Sequence, residues 1–221
     1  MRVRILYPFV LLAAMIVSWP QTSRAQGFEV GVRSGGNVST LIGVDNTSPH
    51  ISYYGGLTSS LFFSESWGVT LDVTLSEQGT RCNPNEDGVT MDYRYNYLNI
   101  PLLATYRLPL GNGSSLRLVA GPQLGIFMLG TYDYTLPSVL EEGTISGSGS
   151  LDKEDFHPLD FGISIGAGWV LWGESVLIEA RYTLGINQTH NGVSNTLNDR
   201  YYISVPNNRN SVFQLGTAIL F

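Results

Sequence analysis

At 221 residues the chain has room for one or two domains, and the even spread of its 25 glycines and its aromatics argues for one. With 12 basic against 18 acidic residues it disfavours nucleic acid and anionic surfaces as partners, and a single cysteine excludes an internal disulfide. Only 14% of residues are charged while 43% are hydrophobic, yet no apolar run after the N-terminal segment approaches the roughly 18 residues that a membrane-crossing helix needs, which suits a membrane β-barrel better than a soluble domain.

Residues 1–25 are predicted to be a cleaved export signal. Arg2 and Arg4 precede an apolar run from Ile5 to Trp19, interrupted by Pro8, and Ser23-Arg24-Ala25 places small residues where a signal peptidase reads. Losing three of the 12 basic residues (Arg2, Arg4, Arg24) leaves 9 against 18 acidic ones, a formal charge of −9. Residues 26–221 are then read as one barrel domain.

The first strand, about Phe28 to Leu41, sets Phe28, Val30 and Val32 against Glu29, Gly31 and Arg33, and Ser34 to Gly36 blurs the alternation. The second, about Ile51 to Phe63, sets Leu57, Ser59, Leu61 and Phe63 against Gly56, Thr58 and Ser60. After a tight turn at Ser64-Glu65-Ser66 comes the clearest stretch, Trp67 to Gln78. Trp67, Val69, Leu71, Val73 and Leu75 share one face, and Gly68, Thr70, Asp72, Thr74, Ser76 and Gln78 the other. A soluble sandwich would carry Lys, Glu and Arg on its polar face. Here that face is small and almost uncharged, as in a narrow barrel whose outside touches lipid.

The fourth strand, about Asp92 to Tyr106, turns Leu98, Ile100, Leu102, Ala104 and Tyr106 outward and Asn99, Pro101, Leu103 and Thr105 inward; Pro101 predicts a local irregularity. Asn112-Gly113 marks a hairpin. The fifth, Ser114 to about Met128, points Leu116, Leu118, Ala120, Leu124 and Ile126 out and Arg117, Gly121, Gln123 and Gly125 in. The sixth, near Leu159 to Leu171, sets Phe161, Ile163, Ile165, Ala167 and Trp169 against Asp160, Gly162, Ser164, Gly166 and Gly168, and ends at a Trp172-Gly173-Glu174 turn. In the seventh, Val176, Ile178, Ala180, Tyr182, Leu184 and Ile186 face out while Glu179, Arg181, Thr183, Gly185 and Asn187 face in. The eighth closes the chain with Phe213, Leu215, Thr217, Ile219 and Phe221 opposite Gln214, Gly216 and Ala218.

Connections after the second, fourth and sixth strands are short and the others long, the longest from about Leu129 to Pro158, which is the pattern of periplasmic turns and extracellular loops. Phe28, Phe63, Trp67, Tyr106, Trp169, Trp172 and Phe221 gather at the short-turn ends as an interfacial girdle, and Tyr93, Tyr95, Tyr132, Tyr134, Tyr201 and Tyr202 toward the long-loop ends. The fold expected is an all-β, eight-stranded, antiparallel up-and-down transmembrane barrel.

Tyr97-Leu98-Asn99-Ile100-Pro101-Leu102-Leu103, Gly121-Pro122, Asp160-Phe161-Gly162 with Gly166 and Gly168, Glu179-Ala180-Arg181-Tyr182 and the final Phe221 occur in an order that resembles the PorT-like outer-membrane β-barrel family of Gram-negative bacteria, over essentially the whole mature chain. The resemblance implies an eight-stranded barrel in the outer membrane, a terminal Phe221 of the kind that barrel-assembly machinery recognises, and a link to protein export by a type IX route. It implies no catalytic residues.

Of the inward charges, Glu29, Arg33, Asp72, Arg117, Asp160, Glu179 and Arg181, a structural salt-bridge network is expected, because a bore too narrow for bulk water requires charges to pair. His50, His157 and His190 fall in long loops without the spacing of a metal site, so no metal and no cofactor are expected. His190 with Ser194 and Asp199 is a coincidence that polar loops generate freely, and Cys82 reads as a bystander loop thiol. Glu141, Glu142, Asp152, Glu154 and Asp155 make the longest loop an acidic, solvated one. Eight strands filled by side chains leave no aqueous channel, so a general porin is not expected. Function is expected in the loops or outer wall of a monomer, as a structural, surface-binding or secretion-accessory protein, with lipid, the barrel-assembly machinery and an envelope or secreted protein as partners. The alternative is an outer-membrane enzyme acting on lipid or surface substrates, and a third reading, a soluble ligand-binding barrel, would need an apolar interior.

Overall fold

A computed structural model describes residues 27–43, 47–82, 90–137, 144–150, 157–173, 175–188, 194–197, 201–204 and 208–221. The expected signal segment, His190, Asp199, Glu174 and the acidic residues Glu141, Glu142, Asp152, Glu154 and Asp155 lie outside the described residues. The strands are β1 (Gly27–Ile42), β2 (Thr47–Phe62), β3 (Trp67–Cys82), β4 (Thr90–Gly111), β5 (Ser114–Pro137), β6 (Thr144–Ser150), β7 (Leu159–Leu171), β8 (Val176–Gly185), β9 (Ser194–Leu197), β10 (Tyr201–Ser204) and β11 (Arg209–Leu220). Eight of them close a ring in the order β1-β2-β3-β4-β5-β7-β8-β11, with β11 returning to β1 and every pairing antiparallel. β9 and β10 form a separate two-stranded ribbon, which carries Tyr201 and Tyr202.

The alternation read from the sequence holds through the ring. On β3 the residues Trp67 to Leu75 of the apolar set are exposed and Gly68 to Gln78 of the polar set are buried. Ser34 and Gly36 do not interrupt β1; they are small residues on its outer face. Phe28, Phe63, Trp67, Trp169, Trp172 and Phe221 are exposed at the short-turn end, and Trp67 packs in a tilted contact on Tyr106 with ring centroids 4.8 Å apart. Asn112-Gly113 (φ 54° and 67°) is a consecutive left-handed pair between Gly111 and Ser114, the arrangement that matches the twist of a two-residue hairpin, and the longer connection from Leu171 to Val176 opens on a similar pair, Trp172-Gly173 (φ 51° and 68°).

Several expectations need correction. The long segment after Met128 is not loop throughout: β5 continues to Pro137 and folds back as β6, paired from Thr131↔Ser150 to Pro137↔Thr144. β4 likewise begins at Thr90 and ends at Gly111, and β2 begins at Thr47, so His50 lies in a strand and Cys82 ends β3 rather than sitting in a loop. One side of the wall therefore rises above the opposite mouth, from the row Asn99–Gly125–Asp160 up to Thr90↔Thr135, about 30 Å along the strand. We call this extension the crest. At Pro101 the ladder to β3 lapses between Thr74↔Asn99 and Leu71↔Leu102 without a change of register, while the register shifts opposite Asn96 and Tyr97, where Met128 is the extra residue.

That bulge reverses which β5 residues face inward, so Tyr132 and Tyr134 join Tyr93, Tyr95, Tyr97, Met91, Leu41, Cys82 and Phe127 in an inward apolar cluster. These tyrosines lie toward the long-loop end, as expected, and face the interior. Tyr132 and Tyr134 lie over Gly149 and Gly147, directly opposite on β6, where a side chain would collide with the rings.

Where the first strand meets the last, Gly35 faces Gly216 and the ring of Tyr54 covers both. A Cβ on Gly35 would press into the Leu215 carbonyl and the Gly216 Cα. Gly35→Val is expected to cost roughly 1–3 kcal/mol or to prevent closure, read as loss of the heat-modifiable folded band in gels. Gly27→Ala, with nothing within 4 Å, should leave that band intact.

Candidate functional site: the charged bore

Eight strands leave a bore only wide enough for side chains. All seven charged residues expected to face inward do so. Room for the large ones comes from glycine beside them: Glu179 is flanked by Gly168 and Gly216 on the neighbouring strands, and Arg181 by Gly166.

Four of the seven form a closed ring across the bore. Arg33 donates to Asp72 and, at 2.9 Å, to Glu179 Oε1; Arg181 donates to Asp72 Oδ2 at 2.7 Å and lies 2.7 Å from Glu179 Oε1. None of the four is more than 6% exposed. Two cations and two anions leave the ring neutral, which burial of ions in a water-poor interior requires.

Nearer the short turns, Glu29 accepts hydrogen bonds from Arg117, at 2.6 Å, and from Arg107. Both guanidiniums lie over the ring of buried Phe62, Arg107 at 3.7 Å and Arg117 at 5.3 Å from its centroid, a cation–π arrangement. Arg107 was not among the expected residues. Its signal was parity, two positions beyond inward Thr105.

Asp160, by contrast, joins no ion pair among the described residues. Its Oδ2 accepts from Asn210 Nδ2 at 2.6 Å.

Neutral polar groups fill the remaining levels. Ser60, Thr70 and Thr105 chain their hydroxyls at 2.8 and 2.6 Å; Ser164 and Thr183 meet at 2.7 Å; Asn37 bonds Ser76 at 3.0 Å and accepts from Gln214 at 2.9 Å. The interior is not polar throughout, as the alternation alone would suggest. Val170, Leu177, Ala218 and Leu220 pack inward at the short-turn end, and the tyrosine cluster occupies the opposite end.

Outside the bore the candidates for chemistry are sparse. His50 Nε2 is 3.5 Å from Glu77 Oε1, and His157 is exposed. Cys82 is buried above the apolar band, and burial pushes its thiol up to about 11, away from reactivity. Among the described residues no three His, Cys, Asp or Glu side chains converge.

A family profile described as outer membrane protein beta-barrel domain matches residues 19–191. The chain belongs to this outer-membrane β-barrel family. Membership places the barrel in the outer membrane. The match begins inside the segment expected to be cleaved and stops short of β11, the strand that closes the ring.

Comparison with curated proteins returns no match. Among solved structures the barrel is similar to the attachment invasion locus protein Ail of Yersinia pestis, at 16% identity over 87% of this chain and 98% of that one, with a TM-score of 0.40. Neisserial surface protein A aligns at 11% identity over 90% and 100%, TM-score 0.43, and OprG from Pseudomonas aeruginosa at 14% over 89% and 97%, TM-score 0.45.

Removing one member of the ring strands its partners as unneutralised buried charges, which typically costs 3–5 kcal/mol, roughly. Arg181→Leu is therefore expected to lower the unfolding temperature in detergent markedly. Arg81→Leu, which breaks the exposed pair with Asp92, should change it by no more than about 1 kcal/mol equivalent.

Proposed function

We propose that the protein is a monomeric, non-enzymatic outer-membrane barrel that acts at its extracellular side, in surface binding or as a PorT-like accessory to protein secretion. The observation that carries this reading is the contrast between the bore and the crest. The bore is braced by neutralised charges and has apolar side chains packed at both ends, so a general porin would need it rebuilt.

The crest, on the other hand, lifts ordered backbone beyond the lipid. Its outer face carries ion pairs, Arg94 with Asp133 at 2.5 Å and Arg81 with Asp92 at 2.6 Å, while the inward tyrosines pack beneath it. An ordered hydrogen-bonding surface at the cell exterior is what an adhesion or a secretion partner can dock on.

The test is a deletion strain complemented with the full chain or with a variant lacking residues 131–150. The trimmed barrel is expected to fold and reach the outer membrane. Both it and the deletion should lose the same extracellular proteins or surface attachment, with an unchanged lipid profile. A lipid change that only the full chain reverses would make the protein an enzyme, and stable conductance in planar bilayers would make it a pore.

A further inference from the structure

Three inward carboxylates, Glu29, Asp72 and Glu179, each contact arginine. The fourth, Asp160, contacts no cation among the described residues, and its Oδ1 is buried without a hydrogen-bond partner. Asp160 is half-buried with this one oxygen shielded from water, and a carboxylate oxygen left uncompensated is costly, so a cation is called for at this position.

The surroundings say which kind. Asp160 sits in the row Asn99–Gly125–Asp160, at the top of the full ring and below the crest. Because Gly125 has no side chain, Asn99 Oδ1, Asp160 Cβ and the ring of Tyr97 close to within 3.0, 3.3 and 3.4 Å of where its Cβ would be. Tyr97 is fully buried and close enough to Asp160 to interact electrostatically, and its hydroxyl lies beside the amide of Asn210. The side chains that meet around Gly125 carry a carboxylate, a phenol and an amide, with neither sulfur nor imidazole. Asn210 spends its N–H on the other carboxylate oxygen, which orients Oδ1 without neutralising it.

We propose that Asp160, Tyr97 and Asn99 form a site for a hard, oxygen-preferring metal cation entering from the extracellular side. An all-oxygen set with one carboxylate and irregular geometry suits Ca²⁺ better than Mg²⁺, which demands near-ideal octahedral geometry. With a single charge the affinity is modest, half-saturation on the order of 1 mM. Bound there, the ion joins β4 to β7 across β5, at the level where the crest leaves the ring.

The experiment uses the full chain in detergent micelles, with Ca²⁺ alone as probe for unfolding temperature and Tb³⁺ as a luminescent substitute excited through tyrosine. Wild type should unfold at higher temperature with Ca²⁺ and show sensitised Tb³⁺ emission that Ca²⁺ displaces. Asp160→Asn, checked for folding by heat-modifiable mobility, should lose the Ca²⁺ shift and raise half-saturation by about tenfold or more. Asn99→Ala, which leaves the charge in place, should weaken binding by a smaller factor. Retention of the full Ca²⁺ response in Asp160→Asn overturns the site, since the ion is then held elsewhere. Absence of any Ca²⁺ response in wild type overturns it equally, and if acidification alone stabilises wild type but not Asp160→Asn, the carboxyl takes a proton instead of a metal.

Discussion

The structure depends on neutralising charge inside a cylinder too narrow for water. Arg33 on β1 is the hub. It reaches Asp72 on β3 in one direction and Glu179 on β8 in the other, and Arg181 completes the circuit. β3 and β8 stand on opposite flanks of β1, each separated from it by one strand, so the ring braces the bore where neighbouring-strand hydrogen bonds cannot. A chain with one cysteine has no covalent means of doing this. The cost of desolvating four ions is offset only while all four stay in place.

Everything around the brace follows from making room for it. Arginine and glutamate need space that eight strands barely provide, and glycines at Gly166, Gly168 and Gly216 supply it beside Glu179 and Arg181. The same device serves at the seam, where Tyr54 lies across Gly35 and Gly216, and on the crest, where Tyr132 and Tyr134 lie across Gly149 and Gly147. Large side chains laid over opposing glycines keep the wall packed without widening it. The abundance of glycine thus belongs to the same constraint as the low charge: a bore that holds a few ions must be lined elsewhere by almost nothing.

Within the lipid, the fold was legible because its two solvents differ. Apolar residues outside and small or charged ones inside alternate with period two, and Trp67 to Gln78 shows this without ambiguity. Above the lipid the rule inverts. The outside of the crest faces water and carries Asp92, Arg94 and Asp133, while the inside is a dry cap of Met91, Tyr93 and Tyr95. Apolar residues on the outside stop where that inversion begins, so the alternation alone ends β5 near Met128. The bulge there hid the rest, since one extra residue moves Tyr132 and Tyr134 to the other face. Inward orientation of the charged residues could likewise be read from parity, but their partners could not. Which arginine meets which carboxylate depends on the stagger of strands around the ring, and that is not written in any one strand.

The inversion also explains why the crest stands as ordered sheet and not as loop. An extended hairpin in water lacks the lipid that holds the lower wall, and two strands alone are marginal. Here the hairpin gains a third and fourth strand from β3 and β4 and a hydrophobic face from five tyrosines, Met91 and Phe127, so it has the minimum a free-standing sheet needs. The aromatic face is continuous with the top of the charged bore through Tyr97, which packs on Phe127 at 5.7 Å and borders Asp160. The mouth of the bore and the crest therefore share one set of packed side chains.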